Sequence, residues 1–392
     1  MIYSDITLDQ LAEVMGRVVD RTMRMDLTWD WPCGVAYYGI AEAYRVTQDQ
    51  RILELLKARV DELIDLGLPN WTVNTCAMGH ALLTLFEATG KTKYWDIIES
   101  KLNYLQNEAL RFTPAELKGK ELSRHEMVLQ HTVSSKDDFP EQAWADTLFM
   151  AAFFMLRAGA LMKVKFPARE AEAQRLIDDA LNQYYWHIKY LQDPISGLWY
   201  HGYTNINQNH LSGIHWGRAN AWGAYTMSQA PHLLADWYLY PTCLDIYGSL
   251  DEHLSALKTL QTSPAVEEDD SPSRNHGTTD TGGLWRTVLD NPSTYEEVSA
   301  SAGIAAAMVA RGNPLHRKHI KRALDGVLAN IADDGRVLNV SAGTAVMKDV
   351  AGYEGISRRW IQGWGQGLAL AFLAAIYEQL NPANNNADRA TI

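Results

Sequence analysis

The sequence predicts an all-α protein, a closed toroid of six helical hairpins with a few short β-hairpins in its loops. Two observations carry that expectation. Apolar residues recur at helical spacing along most of the 392-residue chain. Strand-like runs are few and short, with neither βαβ alternation nor a GxGxxG or GxxxxGKS motif, which argues against doubly wound sheets and P-loop folds.

In chain order the periodicity gives about twelve helices: Leu8–Thr22, Gly34–Tyr44, Arg51–Leu66, Met78–Ala88, Tyr94–Ala109 and Trp144–Leu161 come first. Ala168–Leu191, Asn220–Leu239, Tyr247–Gln261, Val298–Arg311, Leu315–Ala332 and Leu368–Leu380 complete the series. Gly, Pro, Asn and Trp punctuate the breaks between them. The best strand candidates are Gly197–His201 and Gly283–Val288. Two local patterns repeat, a Gly-Leu-Trp turn near residues 199 and 285 and a Trp-Gly helix opening at 216, 222 and 364. No sequence period of the kind a solenoid shows is present, which favours the closed toroid. Residues 261–275, rich in Ser, Pro and acid, read as a surface loop, since helix–loop texture is the same on both sides. A single domain over 1–392 is expected.

Composition narrows the function. Net charge is −12 and no Lys/Arg cluster occurs, so polyanionic nucleic acid and anionic membrane surfaces are poor partners. No basic leader with an apolar core opens the chain, and no run is long enough to span a membrane. Cys33, Cys76 and Cys243 are odd in number and far apart, which argues against a disulfide framework or a zinc knuckle. A cytoplasmic protein is expected, without cofactor or metal, as a monomer or weak homodimer. A second feature is the aromatic balance of 13 Trp and 18 Tyr against 8 Phe. Indole and phenol carry polar tips that need a partner when buried, so this excess hints at an aromatic-lined cleft.

Two segments could carry chemistry. Asp146 follows Trp144 at the head of an apolar run containing Leu148, Phe149 and Met150. It could cap that helix, or it could act as an acid whose pKa is raised by an apolar, Trp-flanked setting. Between Leu198 and Gly223 lie His201, His210, His215, Arg218 and three Trp. A guanidinium at a helix start between Trp216 and Trp222 suits capture of a carboxylate; a structural salt bridge is the alternative.

Several motifs, in order, resemble one family. They are Asn74 with Met78-Gly-His-Ala-Leu-Leu83, Lys136 with Trp144-Ala-Asp146-Thr-Leu-Phe-Met-Ala151, and Gly197-Leu-Trp-Tyr-His201. Trp216-Gly-Arg218 with Trp222, Gly283-Leu-Trp285, Tyr295–Ser301 and Gly363-Trp-Gly-Gln-Gly367 follow. Together they span roughly residues 30 to 375 and resemble the unsaturated rhamnogalacturonyl and glucuronyl hydrolases of glycoside hydrolase family 105, relatives of family 88. The resemblance implies an (α/α)6 barrel with its site at one mouth. It implies an oligosaccharide substrate ending in a 4,5-unsaturated uronic acid, removed by hydration of the double bond. Asp146 would be the catalytic acid and base. His201, Arg218 and Lys136 would hold the uronate carboxylate and ring hydroxyls, Trp144, Trp216 and Trp222 would wall the pocket, and Tyr38 would face it. Trp199, Trp285 and Trp364 would also stand at the mouth. Asn74 occupies a loop where several relatives carry a second Asp; it cannot titrate, but it can hydrogen-bond a sugar hydroxyl. Another (α/α)6 sugar enzyme, such as an epimerase or a hydrolase of saturated glycosides, and a non-catalytic binding scaffold are the rival readings.

Overall fold

The first helix, α1 (Leu8–Thr22), starts at a capping box: the Thr7 hydroxyl accepts from the Gln10 amide while the Gln10 side chain accepts from the Thr7 amide. Its buried stripe, Leu11, Met15, Val18, Val19 and Thr22, has the spacing of one helix face. The computed structural model describes residues 6–134, 139–263 and 281–381. Within them follow α2 (Trp31–Thr47), α3 (Gln50–Asp65), α4 (Gly79–Thr89), α5 (Thr92–Asn103), α6 (Phe154–Lys165) and α7 (Glu170–Leu191). The remainder are α8 (Gly217–Gln229), α9 (Pro241–Thr259), α10 (Val298–Arg311), α11 (Arg317–Ala329), a short α12 (Val350–Glu354) and α13 (Gly363–Leu380). The twelve expected helices are all present, and α12 is additional.

The fold is an (α/α)6 barrel. An inner ring is formed by α2, α4, α6, α8, α10 and α13, packed side to side, with α13 closing against α2. Inner helices are buried nearly all round: α10 from Val298 to Val309 and α13 from Gly363 to Ala374. Outer helices such as α1 and α11 are amphipathic and lie against the ring by one stripe. Closure depends on glycine. A Cβ on Gly39 would stand 2.2 Å from the Gly367 carbonyl oxygen, and one on Gly367 would stand 2.1 Å from that of Val35. Two of the glycines in the repeated Trp-Gly pattern thus serve close packing, Gly367 against α2 and Gly365 against Val340.

All inner helices run in the same sense. Their N-terminal ends surround one mouth and their C-terminal residues line a second cavity of about 1060 Å³ at the other. The partial positive charges of several helix N-termini therefore converge on the first mouth.

The strands are β1 (Arg111–Phe112) with β2 (Val128–Leu129), and β3 (Gln142–Trp144), β4 (Gly202–Thr204) and β5 (Asn209–His210), all antiparallel. The two Gly-Leu-Trp segments expected as strands contribute isolated bridges instead, at Trp199, Arg286 and Val288. Their work is done by positive-φ turns at Gly197 and Gly283 that bury each indole completely. Trp199 packs on Gly223, and Trp285 donates to the Leu257 carbonyl at 2.7 Å. Trp144 ends β3 rather than opening a helix, and a π-helical turn over Leu148–Phe153 leads into α6. The expected surface loop falls mainly outside the described residues. All three cysteines are buried and unpaired, and among the described residues no helix is long and apolar enough to cross a membrane.

Candidate active site

At the N-terminal mouth is a cavity of about 380 Å³. Asp30 and Trp31 reach it from the start of α2, Asn74 from the 3-10 turn before α4, and Asp146 from the turn between β3 and the π-helical segment. Trp216 and Arg218 come from the start of α8, and Gly343–Ala345 from the connection between α11 and α13. His131, Ser134, Phe139 and Trp144 complete the wall. Asp146, Asn74, Trp144, Trp216 and Arg218, picked from sequence, are thus brought together. His201 lies directly behind them, wholly buried.

Asp146 does not cap a helix; among the described residues it accepts no backbone hydrogen bond. Its Oδ2 is buried and faces His201 Nε2 at 3.3 Å, an ion-pair distance off the line of a hydrogen bond. Burial pushes its carboxyl pKa up, but His201 above all, with smaller contributions from its neighbours His131 and Arg218, more than offsets this and holds it below the ordinary value. The sequence-based expectation of a raised pKa is therefore corrected. The local sequence shows only the apolar flank; the histidine just before β4 and the arginine on α8 reach Asp146 from elsewhere in the chain.

His201 is oriented on three sides. Its Nδ1 meets the Tyr353 hydroxyl at 2.8 Å, its ring lies on Trp216 with centroids 4.3 Å apart, and Trp144 meets it edge-on. Trp144 also stacks on His131 at 4.4 Å and 10° and ties its indole N–H to Gln142. His131 Nδ1 pairs with the Thr147 hydroxyl at 3.0 Å; burial above all pushes its pKa down to about 4, so the ring is neutral near pH 7.

Arg218 is almost completely buried between Trp216 and Trp364, its guanidinium 4.4 and 5.3 Å from their ring centroids. Nη1 donates to the Ser341 carbonyl and hydroxyl, and Nη2 to the Ala342 carbonyl at 2.8 Å. Glu297, the N-cap of α10, stands 3.5 Å away and accepts from the Ser341 amide. The guanidinium is therefore not an open fork. Much of its donor capacity pins residues 341–342, and its charge rather than a free bidentate edge is what the cavity feels.

Asn74 leaves its Oδ1 buried without a partner while lining the cavity, an acceptor set for a hydroxyl. Lys136 lies outside the described residues; Ser134 and Phe139 on either side of that gap both line the cavity.

Two expected wall residues are elsewhere. Tyr38 lines the opposite cavity, its hydroxyl 2.6 Å from that of Tyr225. Trp222 is fully buried against Phe149. Helix rise explains both: Tyr38 is seven residues into α2, about 10 Å below Trp31, and Trp222 is five residues into α8. The aromatic that α2 does present is Trp31, stacked on Trp364 at 4.3 Å. Trp199 and Trp285 are likewise core, not mouth. His131, Asp30, Trp31 and Tyr353 had no sequence signal beyond residue type, because they sit on connections or at a helix start. Among the described residues, no group of three or more His, Cys, Asp or Glu is placed to hold a metal.

A ring of six helical hairpins with two aspartates, two histidines, an arginine and stacked indoles at its mouth defines a carbohydrate-active barrel enzyme of the glycoside hydrolase kind. Comparison with known proteins agrees: the model of Glycosyl Hydrolase Family 88 matches residues 7–266 and 276–380. The chain belongs to that family. It is 44% identical over 369 residues to the unsaturated rhamnogalacturonyl hydrolase YesR of Bacillus subtilis (strain 168), covering 94% of this chain and 95% of that one. A Salmonella enterica crystal structure described as a possible GH105 member superposes with a TM-score of 0.81 at 23% identity, covering 96% of both chains. A Klebsiella pneumoniae counterpart gives 0.79 at 24% identity, over 96% of this chain and 95% of that one.

Proposed function

We propose that this enzyme removes a terminal 4,5-unsaturated uronic acid from lyase-generated oligosaccharides, those of rhamnogalacturonan foremost, by hydrating the C4=C5 bond. The observation that carries the reading is Asp146 at the floor of a mouth cavity, flanked by His201 and the buried charge of Arg218. The 44% identity to a rhamnogalacturonyl hydrolase supports the choice of substrate.

The chemistry needs one carboxyl group. Protonated Asp146 gives its proton to C4 of the enol ether, and positive charge develops at C5 and the ring oxygen. Water adds at C5 and loses a proton to the Asp146 carboxylate, which restores the acid. The C5 hemiketal opens to a ketone, leaving a hemiacetal at C1 that expels the aglycone sugar. No carboxylate on the opposite face of the scissile bond is called for, in contrast to ordinary inverting or retaining hydrolysis.

Substrate itself raises the acid. The uronate carboxylate entering beside Asp146 is a like charge in a desolvated space, and both effects favour the protonated carboxyl. Arg218 and the converging helix N-termini offset the substrate's charge, so an anion is drawn into a protein whose net charge is −12. Trp144 and Trp216 line the cavity while their faces hold His131, His201 and Arg218 in place, and Asn74 Oδ1 accepts from a hydroxyl. His201, behind the carboxylate, orients it.

The test is incubation with unsaturated disaccharides from rhamnogalacturonan, ulvan and glycosaminoglycan lyases while following loss of the ultraviolet absorbance of the conjugated alkene. Loss is expected, fastest on the rhamnogalacturonan product. No loss on any member of the panel would refute the reading.

A further inference from the structure

We propose that Tyr353 is a positioning residue that fixes the tautomer of His201 and so decides which oxygen of Asp146 moves the proton. The inference rests on the reading of Asp146 as acid and base. It starts from a hydroxyl that has little choice. Tyr353 is carried by α12, the short helix capped by Asp349 between the last two hairpin helices, and is completely buried. Its ring stacks on Trp216, with centroids 5.5 Å apart and planes 23° apart. Its oxygen lies 2.8 Å from His201 Nδ1.

A phenol has one hydrogen. Asp146 is ionised and can only accept, so the ring nitrogen that faces it, Nε2, carries the imidazole proton; the phenol hydrogen is then directed to His201 Nδ1, the unprotonated nitrogen. Burial keeps the phenol far above its ordinary pKa, so the donor survives across any working pH. The imidazole proton is therefore on Nε2, and Nε2 faces Asp146 Oδ2 at 3.3 Å. Oδ2 is buried and faces this N–H, while Oδ1 is not among the buried, unpartnered atoms and is the oxygen turned to the cavity. Protonation of Asp146 thus falls on Oδ1, toward C4 of the substrate, rather than being shared between two oxygens. Tyr353 touches neither substrate nor Asp146; it acts through His201 alone.

The experiment compares the wild-type enzyme with Y353F, which keeps the ring and its stack on Trp216. Imidazole 15N spectra are recorded near pH 7, with His201 assigned by the signals missing in His201→Asn. In the wild type, Nδ1 is expected at the unprotonated position and Nε2 at the protonated one. In Y353F a protonated Nδ1 population appears, kcat on the unsaturated rhamnogalacturonan disaccharide falls about ten- to a hundredfold, and KM changes less than twofold. A wild-type 15N pattern or a wild-type kcat in folded Y353F overturns the proposal. A protonated Nδ1 in the wild type overturns it without any variant. Full turnover by Asp146→Asn would instead refute the acid role, and that result is independent of the His201 spectrum.

Discussion

Asp146 Oδ2 and His201 Nε2 face one another across 3.3 Å, the imidazole shut from solvent and the carboxyl partly open to the cavity, and the histidine holds the carboxyl in its ionised form. Under the proposed function, Asp146 is a base until a second anion joins it and an acid afterwards, which would tie acidity to substrate occupancy.

This has a consequence for pH dependence. Turnover through protonated Asp146 is lost as pH rises through its pKa. That pKa is low in the free enzyme, which kcat/KM reports, and raised in the complex, which kcat reports. The alkaline limb of kcat is expected at higher pH than that of kcat/KM. Coincident limbs would show that substrate does not raise the acid.

Asp146→Asn removes the titrating group while keeping its shape. A fall in kcat of about a thousandfold is expected, within the range for loss of a general acid–base group, with an unchanged far-ultraviolet circular dichroism spectrum. Residual activity near that of the wild type would place the acid elsewhere.

Arg218→Lys tests the pinned guanidinium. A lysine keeps the charge but cannot reach Ser341 and Ala342 together. The connection 341–345 then loosens from the cavity, and KM is expected to rise at least tenfold with a lower Tm. A Tm and KM equal to wild type would show that the donors to residues 341–342 are dispensable.

Acid is expected to unfold the protein well above the carboxylate range. Burial depresses His131 and His187 to about 4 and His253 to about 3. A histidine depressed in the folded state contributes stability that is full above its unfolded value of about 6.5 and lost as pH falls toward the folded value, because only the unfolded chain takes up the proton. The urea midpoint should fall steadily between pH 7 and pH 4.5. A flat profile over that window would contradict the burial of these rings.

Arg111 on β1 and Asp179 on α7 form a bidentate pair, 2.8 and 2.7 Å, with both side chains shut from solvent. Asp179→Ala strands a buried guanidinium and should cost about 3–5 kcal/mol of stability, read from chemical denaturation. A loss under 1 kcal/mol would mean that water reaches the arginine.

The barrel was legible because helical periodicity survives in every hairpin, and α1 and α10 begin and end where the spacing places them. Asp146, Trp144, Trp216, Arg218 and Asn74 were legible as motif positions near helix starts, and helix starts are where the mouth is. Tyr38 and Trp222 were misplaced for the same geometric reason in reverse: a few residues further along an inner helix is most of a nanometre down the barrel. His131, Asp30 and Tyr353 were invisible because the connections that carry them have no period. The resting ionisation of Asp146 depends on residues 55 and 72 positions away in sequence, which no local pattern reports.

The seam between Gly39 and Gly367 joins the second helix of the barrel to its last. On the ribosome, α2 therefore waits for nearly the whole chain to be made before its final neighbour exists. Until Gly363 and the turns after it emerge, the face of α2 around Val35 and Gly39 has no cover. A chain stalled before that point carries an open, sticky edge at its beginning, so synthesis must finish before this enzyme is safe from aggregation.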